Sequence, residues 1–229
     1  MNRIKWMRAL FPGSIRDIGR HLQKAAFSDE SGEGFVVDRV RDEYLEARYF
    51  ERISFQQSVS DPFGNTFVVE RLDFRVVDFT LTKTFPELEL RMAPRGLRGF
   101  TSGLLKASGF SMQLEEHSVK LTKWISAIER ELASKVSVRG AIASGIELRG
   151  GAKGKVAVSG PSDVRPGLAG LIPNHPYELE TVEIDLAFGG SPQRIILGSD
   201  SGLKYGAKAP EGLISSIRSA FGVTGATRR

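Results

Sequence analysis

The chain has 229 residues, 41% of them hydrophobic and 26% charged, with no cysteine and a formal net charge of +5. A chain of this length can bury a core without a metal or disulfide staple. The missing cysteines exclude thiol nucleophiles, iron–sulfur clusters and cysteine-ligated zinc, and the surplus of bases favours anionic partners.

Residues 1–13 form a basic segment in which Arg3, Lys5, Trp6, Arg8 and Phe11 mix cations with bulky apolar groups. Read as about three helical turns, it suits a membrane interface, with its greasy side among acyl chains and its bases near anionic headgroups. Arg8 and Pro12 interrupt its apolar residues. Neither a signal peptide nor a membrane span is therefore expected, and the expected location is cytoplasmic, peripheral at a membrane. Ser14 caps a predicted helix that buries Ile15, Ile18 and Leu22 at helical spacing. Residues 28–34 read as a loop.

A β-rich block follows. Phe35 to Val40 reads as a strand, and from Arg48 the alternation sharpens through Tyr49, Ile53, Phe55 and Val59. Asp61-Pro62-Phe63-Gly64-Asn65 is a hairpin turn between two apolar runs. The return run, Thr66 to Thr84, would span roughly 60 Å at about 3.3 Å per residue. Its apolar parity slips twice, so bulges are expected near Glu70–Arg71 and Val76–Val77. Arg95 to Gly109 reads as a glycine-rich loop.

The strongest helix pattern in the chain comes next, with Leu121, Trp124, Ile125, Ile128 and Leu132 on one face. Two strands with one apolar face each follow. In the first, Val136, Val138, Ile142, Ile146 and Leu148 share even numbers; in the second, Val182, Ile184, Leu186 and Phe188 do. A turn at Gly150-Gly151 and a proline-rich loop over Pro161–Pro176 lie between them. A short helix with Leu213, Ile214, Ile217 and Phe221 on one face ends at Gly222, and 222–229 reads as a disordered tail.

The pattern predicts an α+β protein with a long, curved, mostly antiparallel sheet whose bulged strands wrap on two or three helices. One domain over 14–221 is expected, with a sub-boundary near residue 134. No catalytic motif emerges. His21, His117 and His175 lack ligand spacing, and Gly150 to Lys155 fails as a phosphate loop because Val156 stands where a Ser or Thr is needed. Glu183 and Asp185 share a strand face but alternate with apolar residues, as on a solvated sheet. No metal and no cofactor are expected.

The order of elements resembles the tubular lipid-binding (TULIP-like) superfamily over residues 14–209. The resemblance rests on the long run Thr66–Thr84, the helix Val119–Leu132 before the two-faced strands, and the closing strands through Tyr205. It implies a sheet wrapped around a helix with an acyl chain or other apolar ligand along the seam. Such a seam would be lined by Phe55, Phe74, Phe79, Trp124, Ile142 and Phe188, which serve equally as core residues. A non-enzymatic lipid-binding protein is thus the leading expectation. One alternative is a nucleic-acid-binding accessory protein using Arg91, Arg95, Arg98, Phe100, Lys106, Lys153 and Lys155. A second is a self-assembling structural protein whose sheet edges pair between subunits.

Overall fold

A computed structural model describes residues 1–225 except Arg95 and Asn174. In chain order its elements begin with β1 (Asn2–Leu10), α1 (Ile15–Lys24), β2 (Glu33–Val40), β3 (Tyr44–Ser60), β4 (Thr66–Thr82) and β5 (Leu88–Arg91). Next come α2 (Arg98–Ala107), β6 (Gln113–Glu116), α3 (Leu121–Glu131), β7 (Ser137–Glu147) and β8 (Lys153–Ser159). The chain closes with α4 (Arg165–Leu171), β9 (Glu178–Phe188), β10 (Ser191–Gly198), β11 (Gly202–Tyr205) and α5 (Glu211–Gly225). This is an α+β protein with an antiparallel sheet in the strand order β2-β3-β4-β5-β1-β11-β10-β9-β7-β8, and β6 pairs with β1. The order has two ends, at β2 and β8. Among the described residues there are five α-helices where two or three were expected.

The chain forms two compact units. The first comprises Met1–Arg8, Thr84–Glu89 and Glu115–Arg229. Its core centres on Trp6, Trp124 and Phe221, with ring centroids 5.8 Å apart for the two tryptophans and 5.2 Å for Trp6 and Phe221. β9 behaves as its pattern predicts: Val182, Ile184 and Leu186 are buried, while Thr181, Glu183 and Asp185 stay partly wet. β7 does not keep its even parity. Val138 is buried, then Ala141 and Ala143, then Ile146. Its ladder to β9 shifts at Val138/Gly140 and its ladder to β8 at Ala143/Ile146. Each bulge inserts a residue and turns the strand's buried face over. Ile142 is therefore only half-buried, and Leu148 is exposed.

The second unit comprises Ala9–Lys83 and Leu90–Leu114. In α1 the Ser14 side chain accepts from the Asp17 amide while Asp17 accepts from the Ser14 amide, a closed capping box. Those bonds and Arg20 hold the Asp17 carboxyl down to about 2. Ile15, Ile18 and Leu22 are buried as expected. β3 and β4 form one ladder from Tyr44↔Thr82 to Ser60↔Thr66 with no register shift. The bulges expected at Glu70–Arg71 and Val76–Val77 are absent. Near the base Val77, Phe79 and Leu81 are buried on one face, but from Thr66 to Phe74 every residue of β4 is exposed. A strand wet on both faces has no buried face to keep, so its parity can drift without a bulge.

Three further expectations yield to tertiary packing. Residues 2–10 are a strand inside the sheet, not helical turns, with Ile4 and Trp6 buried on one face. The glycine-rich segment after Arg95 is the helix α2, because its glycines serve close packing. A Cβ at Gly103 would come within 2.9 Å of the Tyr49 ring, and one at Gly99 within 2.8 Å of Glu51 Oε2. Inside the proline-rich stretch, Pro166 sits in the first turn of α4, where its missing amide costs nothing, and Leu168 is buried. α5 also runs past Gly222 to Gly225, with Gly222 set against the Phe85 carbonyl; residues 226–229 lie outside the described residues.

Candidate functional site

The sequence-derived site residues divide between the two units. Trp124 and Phe221 pack at 5.1 Å, and Trp124 Nε1 donates to the Ile217 carbonyl at 3.4 Å, so Trp124 is a core residue. Ile142 and Phe188, in the same unit, are half-buried. In the other unit Phe79 is buried against Phe100 at 5.1 Å, whereas Phe55 and Phe74 are exposed on opposite faces of the β3–β4 ribbon.

The expected membrane-facing residues sit in and just beyond β1. Trp6 is fully buried and donates from Nε1 to Glu89 Oε2 at 2.9 Å. Lys5 pairs with Glu116 at 3.0 Å, and Arg8 lies 5.0 Å over the Phe85 ring. Arg3 and Phe11 are half-buried. Of the expected nucleic-acid residues, Phe100 is buried and turned away from any base. Arg91, Arg98 and Lys106 are exposed in the second unit, and Lys106 lies 3.8 Å from Glu33. Lys153 and Lys155 are exposed on β8 in the first unit, with Lys155 paired to Glu180. Arg95 lies outside the described residues.

The two carboxylates that share a face of β9, Glu183 and Asp185, both lie against Arg194. Asp185 accepts from Arg194 at 2.8 Å and Arg139 at 2.9 Å, which holds its carboxyl below the usual aspartate range. Among the described residues no group of three or more His, Asp or Glu side chains is placed to hold a metal ion. Nor is any helix long and apolar enough to cross a membrane.

What stands out is the outer half of the β3–β4 hairpin. β2 accompanies β3 only as far as Glu33↔Glu51, after which the Arg52 amide donates to the Gly32 carbonyl at 2.7 Å. Beyond that point, among the described residues, the two strands continue without a third beside β3. The base is clamped by Glu51 to Arg75 at 2.9 Å and by the Arg52 guanidinium on the Asp29 carbonyl, also at 2.9 Å. The tip is pre-formed. Asp61 Oδ1 accepts from the Phe63 and Asn65 amides, Asn65 Nδ2 donates to Asp61 Oδ2, all at 2.9 Å, and Gly64 takes the required positive φ of 86°. These bonds favour the ionised carboxylate and lower the Asp61 pKa, the Asn65 side chain most of all.

Between clamp and tip, apolar side chains remain exposed on both faces, although Phe74 nearest the base meets the Phe27 ring at 5.9 Å. On one face lie Phe55 (42% exposed), Val59 (45%), Phe67 (54%) and Val69 (50%), with Val59 directly opposite Phe67. On the other lie Val68, Leu72 and Phe74, and Phe63 at the tip is 89% exposed. The first face continues the buried face of Tyr49, Val77 and Phe79 at the base. At about 150–250 Å² per aromatic side chain, this arm presents several hundred Å² of apolar surface. Monomeric proteins seldom leave more than that in one patch.

The signal that marks this arm was in the sequence. Ile53 to Ser60 has no charge, no Gly and no Pro. An edge strand of that kind is a template for another strand. No family model and no curated protein matches this chain.

Proposed function

We propose that the chain is a non-enzymatic assembly protein and that the β3–β4 arm is the element by which it joins another protein. The observation that supports this most is the charge-free strand Ile53–Ser60, which has an open edge and uncovered apolar side chains on a pre-formed hairpin. Backbone groups along an open edge supply hydrogen bonds, and the alternate apolar side chains supply burial energy.

Charge argues against the other partner classes at this surface. From Ile53 to Phe74 there are three acids, Asp61, Glu70 and Asp73, against one base, Arg71. A nucleic-acid backbone or an anionic membrane would be repelled, and ionised Asp61 sits at the tip that would enter a bilayer first.

The test is sedimentation velocity of the full chain at rising concentration, beside Val59→Lys with Phe67→Lys. The same proteins are mixed with phosphatidylserine vesicles, phosphatidylcholine vesicles and a single-stranded oligonucleotide. The expected result is concentration-dependent association that the double variant weakens roughly a hundredfold, about 2.7 kcal/mol, the burial energy of one or two such side chains. Arm-dependent binding to vesicles or to the oligonucleotide would overturn the proposal. So would identical sedimentation of the two proteins.

A further inference from the structure

The backbone of the arm dictates how two copies fit together. The Asp61 amide donates to the Asn65 carbonyl across the hairpin, at 2.9 Å. Bonding alternates along an antiparallel pair, so the odd residues of β3 point their N–H and C=O groups at β4 and the even residues point theirs the other way. The Arg52 amide, which bonds to Gly32 on the β2 side, confirms that phase. The free backbone groups on the open edge therefore belong to Ser54, Gln56, Ser58 and Ser60. On β4 the corresponding stretch carries Glu70, Arg71 and Asp73, whereas the β3 edge carries no charge from Ile53 to Ser60.

We infer that two copies of this chain pair β3 to β3 in antiparallel fashion about Gln57, giving a four-stranded ribbon β4-β3-β3-β4. This rests on the assembly reading above and specifies its partner and register. Only even residues have groups to offer, so even must face even, and odd then faces odd. The edge is free from Ser54 to Ser60, and its midpoint is Gln57. A register shifted toward the base would drive Ser60 of the second copy onto Arg52, which Gly32 and Asp29 already hold. Centred on Gln57, Ser54 meets Ser60 and Gln56 meets Ser58, and all four residues of each strand are bonded.

Because odd meets odd, the apolar faces of the two arms merge. Phe55 of one copy lies opposite Val59 of the other, twice, an aromatic and β-branched pairing of the kind that stabilises sheets. Phe67, Val59 and the second copy's Phe55 then form one continuous row. No charge on this edge opposes its own copy. The seven-residue edge from Ser54 to Ser60 is uncharged, with Phe55 and Val59 placed symmetrically about Gln57, so the same edge turned through a two-fold axis matches it.

The chain has no cysteine, so a single introduced thiol reports the register cleanly. Gln57 faces its own copy in a non-hydrogen-bonded pair, where Cα atoms stand about 4.5 Å apart, within disulfide range. Gln56 would be displaced by two residues from its copy, roughly 8 Å away and beyond that range. Under mild oxidation of the full chain, Gln57→Cys is expected to give a covalent dimer at least roughly tenfold faster than Gln56→Cys. Ser58→Pro removes an amide that points only to the open edge. It is expected to weaken association about tenfold (about 1.4 kcal/mol), while Ser58→Ala leaves it unchanged. Equal cross-linking at both sites, or faster cross-linking at Gln56, would overturn the pairing. Arm-dependent association without a Gln57 cross-link would sink this pairing and leave the assembly reading standing. Absence of arm-dependent association sinks the assembly reading itself.

Discussion

The two ends of the strand order and the arm treat the same physical hazard in opposite ways. β8 is an end strand, and it carries Lys153 and Lys155 on its exposed positions, with a register shift beside it at Ala143/Ile146. β2, at the other end, carries Glu33, Asp38 and Arg39, and its ladder shifts between Val37 and Arg39. Charges and bulges are how edge strands refuse further strands. The open edge of β3 has neither from Ile53 to Ser60, although it is flanked by exposed phenylalanines. The three edges therefore differ in the charges and bulges that govern whether a further strand can pair.

That contrast can be broken at several places. The largest expected effect is on stability. Trp124→Ala opens a cavity in the first unit's core and should cost about 3–5 kcal/mol in chemical denaturation. The arm variant Val59→Lys with Phe67→Lys replaces exposed side chains and should cost less than about 1 kcal/mol. A large stability loss in the arm variant would mean that the arm is core, not joining surface.

Next in size is the converse exchange. Lys153→Val with Lys155→Val strips β8 of its cations, and when it is combined with Val59→Lys and Phe67→Lys, light scattering should show association that the arm variant alone lacks. If the stripped β8 edge stays inert, lysines are not what protects it, and the contrast loses its physical basis.

The smallest effect is at the tip. The Asp61 carboxyl has a lowered pKa in the folded arm. Its contribution to tip order is therefore complete above the ordinary aspartate value of about 3.9 and is lost as pH falls through the lower folded value. Protection of the Phe63 and Asn65 amides, taken as exchange relative to the intrinsic rate at each pH, should be high at neutral pH and lost in acid, and Asp61→Ala should show the unprotected, fast behaviour at every pH. Slow exchange in Asp61→Ala would show that the turn holds without its carboxylate.

Much of the fold was legible in local pattern. The capping box at Ser14, the even face of β9, the faces of α3 and α5, and the turn at Asp61–Asn65 all appear where residue spacing puts them. β1 is hidden from local pattern because Arg3, Lys5 and Arg8 resemble the polar face of an interfacial helix. α2 and α4 are hidden too, because glycine and proline signal loops unless a neighbour, such as Tyr49 against Gly103, rewards close approach. The arm was half legible. Its turn and its apolar residues stand out in local pattern, while its drifting parity suggests bulges where the ladder is continuous.

Alternation and spacing are properties of neighbouring residues, so the sequence alone settled which faces of most strands and helices are apolar, and where the long hairpin turns. Whether anything covers an apolar face is a matter of distant parts of the chain. Trp6 and Phe55 look alike as bulky aromatic residues beside polar neighbours, yet Trp6 is sealed in a core while Phe55 stands in water. Only the tertiary structure could decide that difference, because burial depends on what arrives from elsewhere, and among the described residues the β2 ladder beside β3 ends at Glu33↔Glu51, short of Ile53–Ser60.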